Sequence, residues 1–317
     1  MMPKRMKKPT ILQQIMTEVK SRLKGILHDS TRKQYLRHTK AFVRYCREAH
    51  DSRSLVECLP YVQEYCDYLV AKGYTPPTVH TYRAAVCKTL ELDLATINKP
   101  VRHVADYVRG RSKVDRGATN DLADPRWAYV VEFNRRVGIR REELMQLRGR
   151  DFTMDESRHP CVFVRRGKGG KPQLQRINEE DAPFVKKYFD AVEPHEFVFD
   201  RQLFNNDLNF HLLRAQDAKA YYFETLRRIQ NEPGYTAQLE QEIRARWALY
   251  CKDKHGRPRK LPDHEIYGYY VVRGKNRALA AKKGMPMSYH KLALLATSIF
   301  KLSHWRNDVT VASYLLV

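Results

Sequence analysis

The sequence predicts a mainly helical chain with one small β-hairpin, divided between two domains. Three observations predict this. Apolar residues recur at spacings of three and four over most of the chain, the mark of helices with one buried face. One stretch alternates instead: Cys161-Val162-Phe163-Val164 and Leu174-Gln175-Arg176-Ile177 flank the turn Gly167-Lys168-Gly169-Gly170. At 317 residues the chain exceeds what one compact core usually takes and falls short of three.

Lysine and arginine outnumber the acids 58 to 36, a formal charge of +22. Such a surface seeks a polyanion, because each cation that neutralises a phosphate also releases a condensed counterion. Nucleic acid fits better than membrane. No apolar run approaches the roughly 20 residues that span a bilayer. The basic start Met1-Met2-Pro3-Lys4-Arg5 is not followed by the apolar stretch of a signal peptide, so a cytoplasmic, nucleoid-associated location is expected. The six cysteines (Cys46, Cys58, Cys66, Cys87, Cys161, Cys251) form no Cys-x-x-Cys pair. Neither a metal site nor a disulfide framework is indicated, and reduced, mostly buried thiols are expected.

Residues 1–29 carry seven basic residues against two acids, Glu18 and Asp29, and read as a flexible or partly helical basic arm. Residues 30–109 read as a helical module. Its first helix starts at Ser30 or Thr31 and turns Tyr35, Thr39, Phe42 and Cys46 inward, leaving Arg32, Lys33, Arg37, Lys40 and Arg44 off that stripe. A second helix runs through Val62, Tyr65, Cys66 and Leu69 and stops at Lys72-Gly73. A third opens at Thr75-Pro76-Pro77 with Val79, Tyr82, Val86 and Leu90 inward, and Thr78, His80, Arg83 and Lys88 on its other side. Polar residues off an apolar stripe are usually just solvated; here the charge balance makes them candidate DNA contacts, with Lys171 added from the hairpin. Residues 110–124 lose all apolar periodicity and are assigned to a linker. Residues 125–317 form the second domain, with helices around Trp127 to Phe133 and from about Arg141. Residues 200–262 match no motif and read as a helical insertion with basic clusters.

The most specific stretch is Gly138-Ile139-Arg140-Arg141-Glu142-Glu143-Leu144-Met145-Gln146-Leu147, followed by Asp151-Phe152. An amphipathic helix explains the leucines but not an arginine set beside Gly138. At the far end stands Leu302-Ser303-His304, with Tyr314 ten residues beyond the histidine. Together these segments resemble the tyrosine recombinase, or phage integrase, family. Its members show a glycine, an aliphatic residue and an arginine at a helix start, and close on Leu-Gly-His followed by a nucleophilic tyrosine. Ser303 departs from that glycine. The family also places a lysine in a β-hairpin turn, which Lys168 matches. It places a second arginine in His-x-x-Arg, with a glycine eleven residues beyond that arginine. His290-Lys291-Leu292-Ala293 fails because Ala293 cannot bind phosphate, and His290 reverts to a surface or capping residue. Tyr270-Val271-Val272-Arg273 keeps the arginine, with Gly284 eleven residues on and tyrosine in place of the histidine. Arg277, four residues further, is expected on the same helix.

The resemblance implies a helical core-binding domain followed by a mixed α/β catalytic domain. It implies site-specific cleavage and rejoining of double-stranded DNA through a 3′-phosphotyrosyl bond on Tyr314, as a homotetramer bridging two recombination sites. Arg140 and Arg273 would grip the phosphate, Tyr270 and His304 would flank it, and Lys168 would protonate the leaving 5′ oxygen. Bond energy is conserved in such an exchange, so neither cofactor nor metal is expected. A phenol of ordinary pKa near 10 is a poor nucleophile at neutral pH, and cationic neighbours are what such chemistry needs. A type IB topoisomerase or telomere resolvase would use the same residues to other ends. A non-catalytic DNA-binding regulator would keep the fold without the reaction.

Overall fold

A computed structural model describes residues 9–26, 28–101, 125–167, 170, 172–204, 208–253 and 255–316. The expected linker, Lys168 and Lys171 lie outside them. The chain is mainly α with a three-stranded sheet and a two-stranded ribbon. It separates into two compact units, Met1–Val108 and Arg109–Val317. Among the described residues no helix is long and apolar enough to cross a membrane.

The first unit packs four helices: α1 (Ile11–Arg22), α2 (Asp29–His50), α3 (Val62–Ala71) and α4 (Pro76–Leu90). Residues 11–22 are therefore not a detached arm. Thr10 and Gln13 close a reciprocal cap, the Thr10 hydroxyl accepting from the Gln13 N–H at 3.2 Å and the Thr10 N–H donating to Gln13 Oε1 at 2.7 Å. Ile15 and Val19, one turn apart, then bury against a core that includes Phe42, Cys46, Tyr65, Leu69 and Val86. Net basic composition hid this apolar stripe. Helix α2 ends on Asp51 in the left-handed region, φ 49°, and the chain after α3 turns at Gly73, φ 78°. Cys46, Cys58, Cys66 and Cys87 are free and buried here, and Cys161 is buried in the second unit.

In the second unit α5 (Pro125–Val137) runs into Gly138, at φ 65°, and then the single turn α6 (Arg141–Leu144). The expected hairpin is β2 (Pro160–Val164) and β3 (Gln173–Arg176), with Val162 opposite Gln175. A strand not anticipated, β1 (Phe152–Met154), pairs antiparallel on the other side of β2. After α7 (Ala182–Asp190) comes α8 (Phe210–Asn231), started by the Asn209 side chain accepting from the Leu212 N–H at 3.1 Å and ended before Pro233-Gly234. It buries Phe210, Leu213, Arg214, Asp217, Ala218 and Tyr222. This stretch is thus a central helix rather than an insertion.

Helix α9 (Tyr235–Tyr250) and α10 (Asp263–Ile266) follow, then strand β4 (Tyr269–Val271), α11 (Gly274–Lys282) and strand β5 (Ser288–His290), which pairs antiparallel with β4. The chain closes through α12 (Lys291–Ala296), a π-helical turn at Thr297–Lys301, α13 (Asn307–Thr310) and a second π-helical turn at Val311–Leu315. The sheet, α5, α7 and the start of α8 share one core around Phe133, Ile139, Leu144, Val162, Phe189 and Leu213. Ion pairs tie α9 to the sheet: Asp155 takes Arg176 at 2.6 Å and Arg246 at 2.8 Å, all three buried, and the half-buried Glu242 takes Arg176 at 2.8 Å.

Candidate active site

Four side chains from distant parts of the second unit converge where α8 meets the last turns of the chain. Tyr314, in the terminal π-helical turn, is 6% exposed and packs on Ala215, Ala218 and Leu302. Its ring lies 5.7 Å from that of His304 and 5.2 Å from that of His211, with the Arg214 guanidinium 5.9 Å from its centre. Arg140 is close enough for its charge to act on His304.

His304 sits between two residues in the left-handed region, Ser303 at φ 52° and Trp305 at φ 60°. Glycine is the residue that takes that conformation without strain, so Ser303 fills at some cost a position where glycine would be free. The His304 N–H donates to the Ser298 carbonyl at 3.2 Å, and its Nδ1 lies 3.3 Å from the Ser298 hydroxyl. That hydroxyl already accepts the Arg306 N–H at 2.6 Å, so its own proton is available to Nδ1. Nε2 is then an N–H donor, and it is buried without a partner among the described residues. Burial, with Arg214, Arg140 and Arg306 nearby, pushes the imidazole down to about 3. It is neutral at physiological pH, a donor rather than a cation.

Arg140 precedes α6 at the surface edge of this cluster. Glu143 holds it twice, accepting the Arg140 N–H at 2.8 Å and its guanidinium at 2.5 Å. Arg214 is 1% exposed; its guanidinium donates to the Gly138 carbonyl and, at 2.8 Å, to the Leu302 carbonyl. It therefore ties the residue two before Arg140 to the residue two before His304. One turn along α8, Asp217 pairs with Lys301 at 2.8 Å, and both are buried. Lys301 also donates to the Arg176 carbonyl at 3.0 Å and the Arg136 carbonyl at 3.3 Å. Gln175 donates to the Val137 carbonyl at 2.9 Å and the Lys301 carbonyl at 2.5 Å. A Cβ on Gly138 would collide with Asp217 Oδ2, so the glycine is required for closeness as well as for its positive φ. Burial pushes Asp217 up to about 6, against the pull of Lys301 and Arg214.

Tyr270 and Arg273 are placed differently from the sequence expectation. Tyr270 lies in β4 opposite Tyr289, its phenol pushed up by burial. Arg273 is exposed and precedes α11 with extended backbone, φ −124° and ψ 165°, so it does not share a helix with Arg277. Among the described residues neither Tyr270 nor Arg273 makes a hydrogen bond, ion pair or ring contact with Arg140, His304 or Tyr314. The arginine in the cluster is Arg214. Its segment, His211-Leu212-Leu213-Arg214, has the His-x-x-Arg spacing, but eleven residues beyond Arg214 stands Thr225 where the family pattern has glycine, which Arg273 satisfies with Gly284.

In the first unit Arg37, Lys40, Arg44 and Lys88 are exposed. Arg32 and Lys33 both pair with Asp29, at 2.5 and 2.8 Å. Thr78 is half-buried with its hydroxyl 3.0 Å from that of Thr75, and His80 Nε2 lies 3.1 Å from the Pro100 carbonyl. Arg83 is not on a free face: it is 8% exposed and donates to the Leu94 carbonyl. A buried arginine in a helix capping a neighbouring turn carries the same letter as one on the surface, and periodicity alone does not separate them.

No protein-family model matches the chain, and no curated protein matches it. Among solved structures it is similar to one described as the crystal structure of XerA recombinase, at 18% identity and a TM-score of 0.24, over 71% of this chain and 92% of that chain.

Proposed function

We propose that the chain cuts and rejoins double-stranded DNA at specific sites through a covalent bond to Tyr314, the chemistry of a tyrosine recombinase or integrase. The observation that carries this reading is the convergence of Tyr314, His304, Arg214 and Arg140 from three separate stretches of sequence. A phenol, a neutral imidazole with a free N–H and two guanidiniums around one point suit attack on a phosphodiester better than structural packing, which needs no unpartnered donor.

In this reading Arg140 and Arg214 neutralise the non-bridging oxygens, Arg214 taking the role that sequence spacing suggests for Arg273. His304 donates Nε2–H to one of those oxygens. Tyr314 Oη gives up its proton to solvent and forms a bond to phosphorus as the bond to the 5′ oxygen breaks, and Lys168 supplies the proton that leaves with the 5′ hydroxyl. A second strand's 5′ hydroxyl reverses the step, so no external energy source enters. The basic first unit holds the duplex through Arg37, Lys40, Arg44 and Lys88, and four copies bridge two sites.

A nicked suicide duplex, in which the freed 5′ fragment diffuses away, tests this directly. Wild-type protein is expected to accumulate a covalent adduct, and Tyr314→Phe to bind equally well and form none. An adduct that persists in Tyr314→Phe removes the proposed nucleophile. Absence of any adduct from wild-type protein on DNA that it binds selectively points to a regulator instead, and relaxation of supercoiled plasmid without strand exchange points to a topoisomerase.

A further inference from the structure

Starting two residues after Arg140, the second unit carries a cleft of about 520 Å³ lined by Arg148, Arg165, Arg166 and Arg201 with one carboxylate, Glu142. Its floor is apolar, from Met145 and Phe197. The cationic wall is held in place rather than left to wander. The Arg148 and Arg201 guanidiniums lie 4.3 and 4.1 Å from the centre of the Phe197 ring, and Arg148 also donates to the His195 carbonyl. Arg165 pairs with Asp151, which is 1% exposed, and its Nε is buried without a partner among the described residues. Arg166 and Arg201 are exposed, and among the described residues no ion pair engages either.

Like charges gathered around a concavity repel one another and destabilise the fold unless an anion fills the space. Planar forks are the donors that suit phosphate oxygens, and an apolar floor suits a sugar face. The chain also says where such an anion continues. Glu142, Met145 and Gln146 line the cleft soon after Arg140 in the chain, and Arg165 and Arg166 directly follow strand β2. We propose that this cleft grips the DNA backbone phosphates flanking the point of cleavage, a contact that anchors the strand without entering the reaction. It rests on the reading of the second unit as a DNA strand-transfer site.

The test pairs two measurements. Arg166→Ala with Arg201→Ala is expected to bind a short mixed-sequence duplex with a shallower salt dependence, the log–log slope falling by about 1.8 at about 0.9 per lost contact. Its adduct rate at saturating DNA and low salt stays at the wild-type level. In a Cys251→Ser background, Arg201→Cys carrying a tethered iron chelate is expected to cut the trapped duplex in one cluster beside the attachment point, since the other described cysteines are buried. An unchanged slope, or cuts scattered along the duplex, overturns the proposal. So does saturable binding of inorganic tripolyphosphate at the cleft with no change in DNA slope, which would make it a site for free polyphosphate. If wild-type protein forms no adduct yet the slope falls as expected, the cleft stands and the catalytic reading falls. If adducts form normally and the slope is unchanged, the cleft alone falls.

Discussion

The interiors of the two units are held by different means. In the first, the core is aliphatic, aromatic and cysteine-rich, and every ion pair among its described residues lies outside that core, as with Arg22–Glu18 and Lys33–Asp29. In the second, three pairs are buried, Asp217–Lys301, Asp155–Arg176 and Asp155–Arg246, beside a fully buried Arg214. Hydrophobic burial is non-directional and tolerates small shifts. Buried ions with fixed acceptors are directional, and removing one partner leaves the other uncompensated. The difference teaches that the second unit gives up some stability to hold particular backbone carbonyls at particular places, and those places adjoin Arg140, His304 and Tyr314.

The comparison breaks most visibly at Arg214. Arg214→Ala is expected to slow adduct formation roughly 100- to 1000-fold, as for loss of one preorganised donor to a developing oxyanion. Arg273→Ala is expected to stay within a few-fold of wild type; single-turnover rates on the suicide duplex decide, and the reverse ranking would return the clamp to Arg273. Arg214→Lys, which keeps charge but loses the fork, should recover folding more than rate.

Next in size is Asp217→Asn, which strands Lys301 and is expected to cost about 3–5 kcal/mol, while Asp217→Asn with Lys301→Met recovers much of it. Urea unfolding of both variants checks the pair. The pH response sharpens the same point. Asp217 in the folded protein titrates at about 6, above its ordinary 3.8. A raised carboxyl binds its proton more readily when folded, so its contribution is fully present below about 4 and is lost as pH rises through 6. Glu242 runs the other way: against burial, which alone would raise it, His159 and Arg176 hold it down to about 2, so its contribution is present above the usual carboxylate range and lost only as pH falls toward 2. Unfolding midpoints between pH 4 and 7 are expected to lose the Asp217 component of their slope in the Asn variant.

Smaller still, Ile15→Ala is expected to cost about 2 kcal/mol, at the lower end of such core deletions because α1 packs on the core through one face only. A null result would return residues 11–22 to a loose arm. Lys33→Ala, which removes an exposed pair with Asp29, is expected to leave the midpoint unchanged within measurement.

These differences also decide what the sequence could show. Helices α2 to α4 were legible because apolar residues repeat at helical spacing and Pro76, Lys72-Gly73 and their neighbours mark the ends. The hairpin was legible from alternation around glycines. Helix α8 was legible as helix but not as a central one, because Arg214 and Asp217 stand on its buried face where a periodic reading expects apolar residues. Strand β1 and the β4–β5 ribbon are three residues long at most, too short for alternation to register. For the site, the segments holding Arg140, His304 and Tyr314 stood out as local patterns. Arg214 had the local pattern too, but the spacing rule placed beside it was not satisfied, and only the packing of α8 against the last turns reveals which arginine is near.

The Asp217–Lys301 contact carries a consequence for warmth. Charged groups lose hydration free energy as temperature rises, so the penalty for burying them shrinks, while hydrophobic stabilisation per unit area levels off. An apolar replacement of the pair should therefore outperform the native residues most in the cold, and its advantage should narrow on heating. The pair beneath Arg140, Arg214 and His304 is then a relatively better joint in the warm than in the cold.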